Sequence, residues 1–333
     1  MKTFAYIVTP VTVKELKNYQ PCLRILPDFL VRPFLKGISK LKTIIIKKIK
    51  STNGSEIEGF LIICPLFGGQ LSEDFVMDRI ISAAQTAQRL GAKIIGLSSF
   101  AARIADTTYP KILKNLKIPV TSGNALTAWS VVEQLYRIAK IKKIELKKSV
   151  IAVIGAASPI GYLCSQKLSD YANRVIISDE DINKLAVLKE TIGYLNPIEV
   201  QIEEDENKAA QKADIVVNVS NQQIDINELK PNTILCSLNP DIDLVKKVKE
   251  RSDITFIEAG LVKVPFPDKL YTDLGLARGL IPTSMAETAL LALDKKFVSY
   301  SLGEKINLDK LEEIADIAVQ HGFEIWAPEA PVL

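Results

Sequence analysis

Two glycines six residues apart, followed by an acid at the end of a second apolar run, are the residues of this chain best suited to hold a charged ligand. Val150 to Ile154 is an unbroken apolar run that stops at Gly155, and Gly161 follows after Ala156, Ala157, Ser158, Pro159 and Ile160. Glycine lets a backbone approach a phosphate closely, and the amides at the start of a helix attract its charge. Ser158 and Pro159 mark the entry to such a helix, with proline tolerated at the first helical position and the serine hydroxyl able to donate where proline cannot. The second run, Val175 to Ile177, ends on Ser178, Asp179 and Glu180. A carboxylate at that place can accept hydrogen bonds from ribose hydroxyls, which makes Asp179 the sugar-binding candidate. The spacing is looser than G-x-G-x-x-G, because Ala157 stands where the second glycine would be. Asp179 and Glu180 with no arginine beside them would repel a 2′-phosphate, so NAD(H) is favoured over NADP(H).

Other residues could do chemistry elsewhere. Asp214 to Asn221 reads as a strand with a polar exit, and Val219 and Ser220 at that exit are further cofactor-binding candidates. Thr121-Ser122-Gly123-Asn124 precedes a helical pattern through Val131, Val132, Leu135 and Ile138. Asn124 is either the cap of that helix or a group facing a cleft between domains. His321 is the one histidine, placed in His-Gly-Phe after a helical stretch; it either interacts with the helix end or relays a proton. Cys22, Cys64, Cys164 and Cys236 lack metal or disulfide spacing and lie in apolar surroundings, as reduced core thiols do. Cys64 as a displaced nucleophile is the sharper alternative.

The elements that must position these groups alternate. Val150 to Asp179 gives strand, glycine turn, helix, strand and acid, and Thr233 to Ser237 and Ile254 to Glu258 add two strands, each with a helical stretch before it. Upstream, Phe4 to Val8, Thr43 to Ile49, Ile57 to Ile63, Lys93 to Leu97 and Ile118 to Thr121 read as strands, with Asn53-Gly54 a hairpin signal and a helix from Ser72 or Glu73 to Leu90. The fold class is therefore α/β: a small N-terminal domain over residues 1–125, a Rossmann-type doubly wound parallel sheet over 126–305, and a C-terminal helix and tail over 306–333 packing back on the first domain. Asp273 to Leu280 reads as a loop, and helices are expected from Thr283 to Leu293 and Leu308 to Gln320.

A chain of 333 residues with 47% hydrophobic and 24% charged residues reads as an ordinary globular protein, and a net charge of +3 argues against a dedicated nucleic-acid binder. No apolar run approaches the roughly 20 residues of a membrane span, and the start lacks a signal-peptide pattern, so the expected location is cytoplasmic. Lys36, Lys40, Lys42, Lys47, Lys48 and Lys50 form one basic group and Lys140, Lys142, Lys143, Lys147 and Lys148 another. They are solvated faces or a docking surface for an acidic carrier protein. A homo-oligomer is an open expectation.

Four patches in order resemble the long-chain acyl-(acyl carrier protein) reductases of cyanobacteria and the predicted dehydrogenases around them. The family's T-T-G-N-x-x-T-A stretch is matched by Thr121 to Ala128, its V-V-G-A-T-G-D-I-G loop by Val153 to Gly161, its A-C-F-A-E-A-M-L-L helix by Thr283 to Leu291, and its R-H-G-F by Gln320 to Phe323. The resemblance implies an acyl substrate, a nicotinamide cofactor and a catalytic role at Ser284, while Asn124, Glu287 and His321 lie in the matched patches and are the further catalytic candidates. Ser284 stands where the family has its nucleophilic cysteine, and a serine would form an oxygen ester that accepts hydride less readily than a thioester. Asp179-Glu180 replaces the family's Ala-Arg. Glu287 lies three residues after Ser284 on the same helix face, placed to orient a substrate or to cap a helix. The expected activity is hydride transfer between a nicotinamide and a carbonyl, alcohol or amine carbon. The alternatives are an acyl-thioester reductase that forms aldehyde, and a nucleotide-binding sensor or docking protein without chemistry.

Overall fold

The protein is described by a computed structural model that covers residues 3–326 apart from 11, 12, 14, 15, 18–20, 32–41, 66–71, 109, 110, 112, 113, 221, 239, 267–275 and 305. It divides into two compact units: residues 1–126, 262–304 and 313–324, and residues 127–261, 305–312 and 325–333.

In the first unit β1 (Thr3–Val8), β2 (Lys42–Lys50), β3 (Glu56–Ile63), β4 (Ile94–Leu97) and β5 (Val120–Thr121) form a sheet in the order β2-β3-β1-β4-β5. β2 and β3 make the expected antiparallel hairpin, and Gly54 in its turn takes φ +85°, the left-handed conformation that Asn-Gly supplies. The other pairs are parallel. α1 (Glu73–Arg89) starts on Ser72, whose hydroxyl accepts from Phe75 N, and with α2 (Ser99–Thr107) it covers one face of the sheet through Val76, Ile80, Ala84, Ala101 and Ala105.

The second unit holds α3 (Asn124–Ile141) from Thr127 onward, then β6 (Val150–Ile154), α4 (Pro159–Ser169), β7 (Arg174–Ser178), α5 (Ile182–Leu195), β8 (Glu199–Ile202), α6 (Glu206–Lys212), β9 (Ile215–Asn218), β10 (Ile234–Leu238), α7 (Ile242–Lys249) and β11 (Thr255–Ala259). Its six strands run parallel in the order β11-β10-β9-β6-β7-β8, the doubly wound Rossmann order with its reversal between β6 and β9. The unbroken apolar runs follow from burial on both faces. Ile151, Val153, Val175 and Ile177 pack with Leu163, Leu168, Leu185 and Leu188 of α4 and α5. Ala152, Ile154 and Ile176 pack with Ala209 and Ala210 of α6 on the other face. Among the described residues between β9 and β10 there is a single 3-10 turn, Ile226–Glu228, too short to be the helical stretch read from the sequence.

The chain then returns to the first unit. β12 (Leu261–Lys263) pairs with β13 (Leu280–Pro282), which runs directly into α8 (Thr283–Leu293). All eleven residues of α8 are buried, and the helix packs on β1, β3 and β4, the sheet face that α1 and α2 leave open. A helix buried all round needs an apolar neighbour or a polar partner on every side, and Ser284 and Glu287 are among its polar positions. This places Val262–Glu304 with the N-terminal residues, where the sequence reading assigns 126–305 to one domain. α9 (Leu308–Gln320) closes the order of helices. Gly322 at φ +74° follows it, with Gly322 N donating to Val319 O and Phe323 N to Ala318 O, a Schellman stop. The tail beyond Trp326 and residues 273–275 of the expected loop lie outside the described residues.

Candidate functional site

Within the first unit, the loop before α3 and the start of α8 meet. Gly123 has φ +82°, and a Cβ there would stand 2.3 Å from the Cα of Ser284, so only glycine allows this approach. Gly96 plays the same part below: its Cβ would collide with Thr288 Oγ1. Ser284 is 8% exposed, and its hydroxyl shares a 2.6 Å hydrogen bond with Tyr6 of β1, while its carbonyl accepts from Thr288 Oγ1 at 2.9 Å.

Glu287 is fully buried one turn further on. Its carboxyl accepts from the hydroxyls of Thr121 and Ser301 and from Leu126 N at 2.9 Å, with Gly123 N contributing as well. Burial pushes its pKa up, and these bonds pull against the rise. Glu287 thus anchors the first turn of α3 from another helix, a cap supplied across 161 residues of sequence. Asn124 donates to Asp106 Oδ2 at 2.8 Å and to Ser301 O at 3.3 Å, and Asp106 also accepts from Gly303 N at 2.9 Å. Desolvation lifts Asp106 from 3.8 to about 7, despite the bonds from Asn124 and Gly303. Ser301 holds φ +38°, an uncommon conformation for a residue with a side chain, clamped by Ser122 and Asn124 on its carbonyl and by Glu287 on its hydroxyl.

In the second unit the glycine turn sits at the carboxyl end of β6. Gly155 has φ +80°, and a Cβ on it would press Ser220 at 3.0 Å. A Cβ on Gly161 would stand 2.1 Å from Gly155 O, so Gly161 is what lets α4 close on the turn. The turn is bound up internally to a large degree. Gly155 N and Ala156 N donate to Ser178 O, and Ser158 N to Gly155 O. Ser158 does not offer a free hydroxyl as the sequence suggests: it donates to Gly155 O at 2.7 Å and caps α4 by accepting from Gly161 N at 3.1 Å. Asp179 Oδ2 accepts from Ala157 N at 3.1 Å, and its Oδ1 from Asp181 N at 3.2 Å. Pro159 has no N–H, which leaves Ile160 N, at the start of α4, as the turn amide that meets no acceptor among the described residues. The chemistry of these donors fits a dinucleotide: one amide at a helix start for the pyrophosphate and a half-buried carboxylate beside it for the sugar. Val219 N extends the ladder to Ile154 O, Ser220 bonds Asn218 Oδ1, and a cavity of about 220 Å³ opens nearby, lined by Asn218, Ser220, Ser237, Leu238, Asp241 and Lys247 among others.

The remaining candidates fall elsewhere. His321 is buried in the first unit, with Nδ1 2.9 Å from Ser51 Oγ and Nε2 3.8 Å from Asp294 Oδ1. Cys64, Cys164 and Cys236 are free and buried; burial lifts Cys64 to about 11 and Cys236 to about 12, so these thiols stay protonated. Lys48 pairs with Glu56 and Lys148 with Glu145, while Lys36, Lys40 and the side chains of Lys42, Lys47 and Cys22 lie outside the described residues. Sequence reading missed Tyr6, Asp106, Ser301 and Glu206, none of which stands in a motif; Glu206 had one signal, the run Glu203 to Glu206.

No protein-family model matches the chain. It is 26% identical over 290 residues to the aminotransferase PigE of a Serratia species, covering 84% of this chain and 34% of that protein. The chain thus spans about a third of that relative's length. It is 24% identical over 266 residues to the long-chain acyl-[acyl-carrier-protein] reductase of Synechococcus elongatus, covering 74% of this chain and 75% of that protein. This weak similarity agrees with the resemblance carried by the four motif patches. Among solved structures, the shikimate 5-dehydrogenase of Listeria monocytogenes in complex with shikimate and NAD covers 95% of this chain and 96% of its own, at 10% identity and a TM-score of 0.40. Among the described residues no helix is long and apolar enough to cross a membrane.

Proposed function

We propose that this chain is an NAD(P)-dependent oxidoreductase that moves a hydride between a nicotinamide and a carbonyl, alcohol or amine carbon of a small or acyl-bearing substrate. The reading is carried by the glycine turn at the reversal point of a six-stranded parallel sheet, with the acid of the next strand tied to a turn amide. When bound, the coenzyme supplies or accepts the hydride. Ile160 N and the start of α4 hold its pyrophosphate, and Asp179 accepts from a ribose hydroxyl. The adjacent Glu180, with no arginine at that strand end, favours NAD(H) over NADP(H).

Of the four catalytic candidates, Ser284 is the one whose hydroxyl, backed by Tyr6, is suited to hold a proton at a substrate oxygen. Asn124 and Glu287 act as positioning residues for the loop beside it, and His321 has a structural role at the end of α9. A second reading, acyl-thioester reduction with an acyl carrier protein as donor, is favoured by the meeting of two of the resembling patches at Gly123 and Ser284. The test is a turnover assay with NADH against aldehydes, hydroxy acids and acyl thioesters. Coenzyme oxidation or reduction with any of them supports the proposal, and aldehyde release from a thioester selects the second reading. Coenzyme binding with no turnover across these classes would leave a sensor and overturn the enzyme.

A further inference from the structure

The parallel pairing of β7 with β8 brings a second acidic segment to the sugar end of the proposed coenzyme site. Ile177 pairs with Ile202, and Glu203 N donates to Ile177 O at 3.1 Å, so the residues after β8 run beside Ser178, Asp179 and Glu180. Most acids there already have partners. Glu203 pairs with Lys212, Asp205 with Lys208 and Asp181 with Lys184, while Glu180 accepts from Gln222 Nε2 at 3.2 Å. Glu206, the first residue of α6, comes four residues after Ile202 on this segment, and the like charges of Asp179, Glu180 and Asp205 act on it.

A second observation bears on the same corner. Ser178 immediately precedes Asp179, is fully buried, and its hydroxyl has no hydrogen-bond partner among the described residues. By strand alternation it shares a face with Ile176, and Ile176 packs with Ala209 and Ala210 of α6. The end of β7 beneath α6 therefore carries an unmet polar group, and the helix that covers it opens on an acid among like charges. A buried hydroxyl without a partner is uncommon in a finished core and is expected where a polar ligand or water completes the bonding.

We propose that Glu206 is a second specificity-determining carboxylate, which acts with Asp179 to admit the free 2′-hydroxyl of an adenosine ribose and to exclude a 2′-phosphate. The inference rests on the coenzyme reading above and adds a residue that no motif marks. Burial and the neighbouring acids lift Glu206 to about 7, so its charge, and with it the exclusion, grows as pH rises through neutrality.

The test is calorimetric titration of the full chain and of Glu206→Gln with NADH and with NADPH, at a pH below and a pH above about 7. The second ionisation of the 2′-phosphate, at about 6, is common to both proteins and cancels in the comparison. In the unaltered chain the NADPH-to-NADH ratio of dissociation constants rises with pH. In Glu206→Gln the ratio at the higher pH falls roughly fivefold, the size of one screened like-charge contact, with NADH affinity changed less than about twofold. Glu206→Ala gives the same fall in a side chain of different shape. A chain that binds NADH but whose ratio is unmoved in both variants overturns this inference alone. A chain that binds neither coenzyme overturns the oxidoreductase reading and this inference with it.

Discussion

The polar groups before α3 and those after β6 are in opposite states of completion. In the first unit Thr121, Ser122, Asn124, Ser301 and Glu287 bond to one another, and the buried carboxyl at their centre meets four donors. In the second unit the glycine turn binds most of its own amides but leaves Ile160 N at a helix start and keeps Asp179 half-buried. A network closed on itself fixes shape, and an edge left open receives a ligand. Ser284 stands between these cases, nearly buried yet bonded through its hydroxyl to a single tyrosine.

The comparison is broken most severely at Glu287. Glu287→Ala leaves two hydroxyls and two amides without their acceptor in a dry core, and a loss of roughly 3–5 kcal/mol in denaturant unfolding is expected. A loss under about 1 kcal/mol would mean that water reaches the cluster. Asp106 sharpens the same region through pH. Its folded value is raised, so the protonated form is favoured by the fold, and its contribution is full below pH 3.8, declines as pH rises and is gone above about 7. The gap corresponds to at most about 4 kcal/mol at 1.36 kcal/mol per pH unit. Melting followed across that window should show the decline in the unaltered chain and a flatter profile in Asp106→Asn.

In the second unit Gly161→Ala is expected to cost roughly 1–3 kcal/mol, because a Cβ 2.1 Å from a backbone oxygen forces the turn apart. It should also weaken NADH at least tenfold in titration, roughly the 1.4 kcal/mol scale of one misplaced helix start. Asp179→Ala gives the smallest effect: roughly fivefold weaker NADH with less discrimination against NADPH, since one sugar contact is lost. Unchanged affinity and preference would remove Asp179 from the site.

The open region was the more legible in the sequence, and the reason is local. Val150 to Asp179 carries strand, glycine, cap and acid within one contiguous segment, each with a backbone requirement that leaves a mark on residue type. The bounds expected for the last two helices, Thr283 to Leu293 and Leu308 to Gln320, are those of α8 and α9. The closed region has no such marks. Tyr6 reaches Ser284 across 278 residues, Thr121 reaches Glu287 across 166, and Gly303 reaches Asp106 across 197. Nothing in Tyr-Ser-Leu-Gly at 300–303 announces that Ser301 will be held at positive φ, because the clamp comes from Ser122, Asn124 and Glu287. The return of Val262–Glu304 to the first unit was hidden for the same reason: α8 is buried on every side, and the open sheet face that takes it up lies far away in sequence.

The central claim is that the turn from Gly155 to Gly161 holds a nicotinamide coenzyme. Its most direct test is a calorimetric titration of the unaltered chain with NADH. Saturable heat, at about one coenzyme per chain, is the predicted result. No heat with NADH and none with NADPH would contradict it.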